Sequence, residues 1–166
     1  MRRIDLMPKK KLRGAKRYLK QFHDYLHALE QSTPLKYEGY DYWNEKIWIY
    51  EKLLNNQKYT KEILNAYIKS ARVFFEKNKG NDLIFTLILG RPNLFSSEVC
   101  VFYSKEYFHN FCIRDNDFQK WVSVEKGIVD DLELSIEGNY EVLNFRESIR
   151  DEDYNYDGII SIIKFL

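Results

Sequence analysis

The chain has 166 residues, 26 Lys and Arg against 25 Asp and Glu, 16% aromatic residues and two cysteines. That length suits one domain able to bury its apolar surface without disulfides or metals. A net charge of +1 excludes a general polyanion binder and a polyanion mimic.

The thiols, Cys100 and Cys112, are too few for a disulfide framework and lack metal-ligand spacing. They lie among apolar neighbours and read as reduced, buried thiols of a cytoplasmic protein. The basic start has no apolar signal core behind it. No stretch approaches the roughly 18 uninterrupted apolar residues of a membrane span, so no membrane partner is expected.

Residues 1–11 read as a flexible basic arm and 12–166 as a single α+β domain. Residues 1–20 hold nine Lys or Arg against Asp5 alone, a net of +8 that leaves −7 for the remainder. Much of that deficit lies between Glu125 and Asp157. Leu12, Ala15, Leu19, Phe22, Leu26 and Leu29 recur at steps of three and four. This predicts an amphipathic helix from Lys10 to Glu30, stopped by Gln31-Ser32-Thr33-Pro34.

Tyr40–Tyr50 is rich in Trp, Ile and Tyr and predicts a strand. A second helix is predicted over Gln57–Lys77, with Leu64, Tyr67, Ile68, Ala71, Phe74 and Phe75 on its apolar face and Asn78-Lys79-Gly80 as its stop. Asp82–Gly90 is a nearly continuous apolar run, as in a central strand. Arg91-Pro92-Asn93 reads as a turn. Glu98–Tyr103 predicts a strand with Glu98, Cys100 and Phe102 on one face and Val99, Val101 and Tyr103 on the other. A short helix follows over Lys105–Cys112. Further strands are predicted at Phe118–Val124, Asp131–Ile136, Tyr140–Phe145 and Gly158–Phe165. The order favours an antiparallel sheet of five or six strands with two main helices packed on one face.

Three short patterns suggest chemistry. His23 and His27, at i and i+4 around Asp24, echo a zinc-protease helix but come with no third ligand, and two solvent-facing histidines explain them as well. Asp153–Ser161 resembles the first half of a calcium loop, yet position twelve is Lys164 where a bidentate Glu belongs. The plainer reading is an Asp157-Gly158 turn into the last strand. Lys9, Lys10, Lys11, Arg13, Lys16 and Arg17 could neutralise phosphates, although no nucleic-acid module accompanies them and a solvated helix face explains them too.

There is no nucleophile elbow or phosphate loop, and only 7 Gly. No catalytic residues, metal or cofactor are therefore expected. The stretch Ser97–Trp121 mixes polar and aromatic groups densely. It reads first as a hydrogen-bonded scaffold and second as a partner-binding surface of Glu98, Tyr103, Arg114, Asp115, Gln119 and Trp121.

Lys10-Lys11-Leu12-Arg13-Gly14-Ala15-Lys16-Arg17, Ser97-Glu98-Val99-Cys100-Val101-Phe102-Tyr103, Tyr107-Phe108, Phe111, Arg114, Gln119-Lys120-Trp121 and Asp151-Glu152-Asp153 together resemble a small bacterial domain of unknown function, family 3916, of Bacillus-like Firmicutes. The ending Ile163-Lys164-Phe165-Leu166 departs from that family's pattern of a Gly-Glu pair after an aromatic run. The resemblance brings no activity with it, enzymatic or other, because none is established for that family. It implies proximity to polymorphic-toxin loci, and hence an immunity role.

The leading expectation is a non-enzymatic interaction protein, an immunity protein whose acidic C-terminal half covers a basic toxin cleft. The alternative is a nucleic-acid-associated protein using the basic arm. A third is a hydrolase built around Glu98, Arg114 and Asp115.

Overall fold

The structure, a computed structural model, describes residues 14–47, 49, 51–80, 82–91, 94, 97–112, 119–120, 126–150 and 155–166. Helix α1 spans Ala15–Gln31, α2 Glu51–Leu54, α3 Gln57–Lys77, α4 Lys105–Cys112 and α5 Ile128–Asp131. Strands are β1 Tyr42–Lys46, β2 Ile84–Arg91, β3 Glu98–Phe102, β4 Gln119–Lys120, β5 Tyr140–Arg150 and β6 Asn155–Phe165. All six form one sheet in the order β1-β3-β2-β6-β5-β4, with every neighbouring pair antiparallel. The fold is α+β, as expected.

The two long helices cover one face of the sheet. Ala15, Phe22, Leu26 and Leu29 of α1 are buried, as their spacing requires. They share a core with Leu64, Tyr67, Ala71, Phe74 and Phe75 of α3 and with Phe85, Leu87, Val99, Val101 and Ile163 of the sheet. α3 begins where the Asn56 side chain accepts the Lys58 N–H, an N-cap that satisfies one free donor. It ends where Asn78 Nδ2 returns to the Phe74 carbonyl at 2.8 Å. Ser70 donates to Glu30 Oε1 at 2.7 Å, tying the two helices together.

The opposite face carries a second, smaller core. Ile84, Ile88, Cys100, Phe102 and Ile162 are covered there by α4, through Tyr107, Phe108, Phe111 and Cys112. Strand alternation divides β3 as expected: Cys100 and Phe102 face α4, while Val99, Val101 and Tyr103 face α1 and α3. The two main helices share one face, and the short α4 occupies the other.

The structure corrects two expectations. Asp131–Ile136 is no strand: α5 ends there and an extended, unpaired segment follows. Asp157-Gly158 is no turn either. Both residues lie inside β6, opposite Ser148 and Glu147 of a hairpin whose strands run eleven residues each. The predicted strand at Phe118–Val124 is represented by Gln119–Lys120, paired with Glu147 and Arg146. The basic arm, the Pro92-Asn93 turn and the first two residues of the calcium-like segment, Asp153 and Tyr154, lie outside the described residues.

Candidate functional site

Antiparallel register sets Glu98 of β3 opposite Lys46 of β1 and Ile88 of β2. Asn44, two residues from Lys46 on the same face, donates from Nδ2 to Glu98 Oε2 at 2.9 Å. Cys100 follows Glu98 on that face. Burial raises the Glu98 carboxyl above its ordinary value, and Lys46 and the Asn44 hydrogen bond pull it partly back.

The raised value fixes the sign of a pH effect. The folded chain binds this proton more tightly than the unfolded chain does. Stability therefore falls as pH rises from the ordinary glutamate range through the raised value, and stays lower above it. Glu98→Gln keeps an acceptor for Asn44 and abolishes the slope. It should be more stable than the parent at pH 7, by less than about 1 kcal/mol because solvent screens the group. Denaturant melts at pH 4 and pH 7 measure this, and a variant less stable at pH 7 contradicts it.

The other residues of the expected binding surface are dispersed. Tyr103 stands on the α1–α3 side, with Lys36 Nζ 5.7 Å from its ring centroid. Gln119 belongs to β4, four strand positions from β3, or about 19 Å at the usual spacing. Arg114, Asp115 and Trp121 lie outside the described residues, as do Lys9, Lys10, Lys11 and Arg13. Lys16 and Arg17 are exposed on the first turn of α1.

Neither thiol is prepared as a nucleophile. Cys100 is pushed well above the ordinary thiol range by burial and by the Glu98 charge. Burial raises Cys112 to about 11 against a lowering by Lys164. Both therefore stay protonated near neutral pH. His23 and His27 project from α1 into solvent. Among the described residues no three His, Cys, Asp or Glu are grouped closely enough to hold a metal ion. Asp157, a member of the calcium-like segment, pairs with Arg146 across the hairpin at 3.2 Å.

Two surface features stand out, and the first of them escaped sequence reasoning. Leu35, Tyr37 and Tyr40 are 57%, 59% and 60% exposed in the segment leading into edge strand β1. The segment lacks periodicity, and only its density of tyrosine hinted at a role. The second is a run of exposed carboxylates, foreshadowed by the acidic balance between Glu125 and Asp157: Asp130, Asp131, Glu133 and Glu137 along α5 and its exit, with Glu141 on β5. Asp131 meets Arg91 at 2.7 Å, and Glu133 and Glu141 meet Lys61 and Lys164 at 3.2 Å.

The described residues thus define a compact-cored α+β domain whose polar chemistry is spread over several surfaces. The chain belongs to the family of proteins of unknown function DUF3916, which matches it over residues 23–164. That span holds the Ser97–Tyr103 and Tyr107–Phe111 signatures and begins after the basic run at 10–17. No curated protein and no solved structure matches the chain. Among the described residues, no helix is long and apolar enough to cross a membrane.

Proposed function

We propose that this chain is a protein-binding domain of the immunity type, which occludes a partner protein and performs no reaction of its own. The observation that carries the reading is the clustering of exposed apolar side chains. Three of the six large ones among the described residues, Leu35, Tyr37 and Tyr40, fall within six positions. Such groups are costly to leave in water and are enriched at protein interfaces, tyrosine especially. The exposed carboxylates of Asp130, Glu133 and Glu137 add a field suited to steering a basic partner, such as a toxin with a cationic cleft.

The test is quantitative capture from native lysate with parent and Tyr37→Ser/Tyr40→Ser baits. Loss of two interfacial tyrosines should weaken the captured partner by roughly 10- to 100-fold while leaving the melting temperature within about 2 °C, since both side chains are exposed. Equal recovery by both baits, or no partner for either, defeats the proposal.

A second reading is nucleic-acid binding through the basic start, favoured by the exposed Lys16 and Arg17 that continue the run of Lys9, Lys10, Lys11 and Arg13. A gel shift that depends on residues before Gly14 and weakens steeply with salt would support it.

A further inference from the structure

Where α3 finishes and β2 begins, rings close on one end of the sheet from both faces. Phe75 of α3 stacks on Phe165 of β6 at 5.7 Å. Across the sheet, Phe108 of α4 meets Phe102 edge-on at 5.1 Å. Between these walls opens a cleft of about 460 Å³, within the size range of small-ligand sites. Its lining brings together three lysines that are far apart in sequence, Lys79 just beyond α3, Lys105 of α4 and Lys164 of β6, with His109 of α4 beside them. Among the described residues, no aspartate or glutamate side chain lines it.

The lysines do have partners at the rim. Lys105 lies 3.5 Å from Asp82, Lys79 lies 3.9 Å from Glu76, and Lys164 lies 3.2 Å from Glu141. The side chains of these carboxylates are each more than half exposed. Exposed pairs at such distances contribute little stability, and each ammonium has three donors to distribute. A dianion entering the cleft would meet several lysines at once, whereas each rim carboxylate engages one of the cleft lysines. Lys164 is the most enclosed of the three lysines, with a quarter of its side chain exposed, so its charge faces a partly desolvated space where an added anion is held more strongly.

We propose that this cleft binds a small organic phosphate with a flat aromatic body, the phosphate between Lys105 and Lys164 and the body against Phe75 and Phe108. Phosphate is favoured over carboxylate because converging point charges match a compact dianion. An aromatic body is favoured because the walls are rings. This site is separate from the Leu35–Tyr40 surface and stands or falls independently of it.

The test is titration calorimetry on the full chain with adenosine 5′-monophosphate, phenyl phosphate, adenosine and inorganic phosphate. At least one aromatic phosphate should bind at least tenfold tighter than both adenosine and inorganic phosphate. Lys105→Gln and Lys164→Gln should each weaken it on the order of tenfold, the loss expected for one charge-assisted hydrogen bond. Asp82→Asn should tighten it, because a competing carboxylate is removed at a left-handed backbone position that Asn tolerates (φ 60°). Lys105 is largely exposed, so its variant folds even if the Lys164 variant does not. Three results would each overturn the proposal: no binding of either aromatic phosphate at millimolar concentration, no preference over inorganic phosphate, or unchanged affinity in Lys105→Gln.

Discussion

Replacing Phe102 with Ala should remove about 3–5 kcal/mol of stability and release α4 from the sheet. Phe102 is fully buried, and the smaller core is assembled around its ring. Its centroid lies 5.8 Å from Tyr42, 5.1 Å from Phe108 and 5.2 Å from Phe111. Two of those three partners belong to α4. A helix of eight residues is not stable alone in water, so α4 persists because its aromatic face has this ring to close upon. Truncation leaves a cavity bordered by rings on one side and by Cys100 and Ile84 on the other, where little can collapse inward without bending a strand.

The larger core lies across the sheet and does not use this ring. The expected pattern is therefore local: a fall in melting temperature of roughly 10–15 °C, with amide protection lost first over 105–112 and retained in α3. Denaturant unfolding and hydrogen exchange read the two parts separately. A loss under about 1 kcal/mol, or α4 amides as protected as in the parent, would show that α4 is held by something else. Because α4 carries Lys105, the same substitution should also disperse the lysines of the cleft.

The sequence makes some elements legible and hides others for identifiable reasons. α3 runs over Gln57–Lys77 and α4 over Lys105–Cys112, the ranges their patterns predict. In α3 the apolar stripe and the stop signal agree, and no tertiary contact overrides them. The faces of β3 follow from simple alternation. The segment after α5 shows where alternation misleads. Leu132 and Leu134 are buried and Ile136 half-buried, with exposed residues between them, a period of two that reads as a strand.

That periodicity belongs to an extended segment packed against α3. In place of a ladder neighbour, the Ser135 N–H donates to Asn65 Oδ1 at 2.8 Å. The stop of α5 is hidden as well, because its left-handed residue is Glu133 (φ 49°) where Gly or Asn is usual. The outer half of the β5–β6 hairpin was missed because it is charged. Arg146 and Asp157 pair across the strands, so residues resembling a polar loop are a cross-strand contact.

The surfaces were less legible than the fold. Alternation places Glu98 with Cys100 and Phe102 on one face of β3 and Tyr103 on the other, as expected, but nothing in the spacing shows that Gln119 falls four strands away. Lys79, Lys105, His109 and Lys164 come from two separate elements and one helix exit, and only the return of β6 beside β2 makes them neighbours. Sequence spacing carries no trace of such a grouping.

That same return creates a buried polar junction whose weak point is Gly127. Ser161 of β6, fully buried, donates to Asn144 Oδ1 of β5 at 2.7 Å and accepts the Ile128 N–H of α5 at 3.0 Å. The chain thereby satisfies an amide at the start of α5 that has no intrahelical partner. Gly127 lies alongside, and a Cβ placed on it would coincide with the Asn144 carboxamide. The glycine backbone itself is ordinary, extended with φ −96° and ψ −179°, so close approach, and no conformational need, excludes a larger residue.

Gly127→Ala must displace Asn144 and strip Ser161 of its acceptor, an expected loss of about 2–3 kcal/mol from overpacking and a broken hydrogen bond together. In an Asn144→Ala background the obstacle is gone. The same Gly127→Ala change should then be neutral or stabilising by up to about 1 kcal/mol, because alanine restricts the unfolded chain and fits this backbone. A thermodynamic double-mutant cycle should therefore return a coupling of roughly 2–4 kcal/mol, at or above the upper end for residues in direct contact. If Gly127→Ala costs the same in both backgrounds, the steric account is wrong and the glycine is required for its backbone after all.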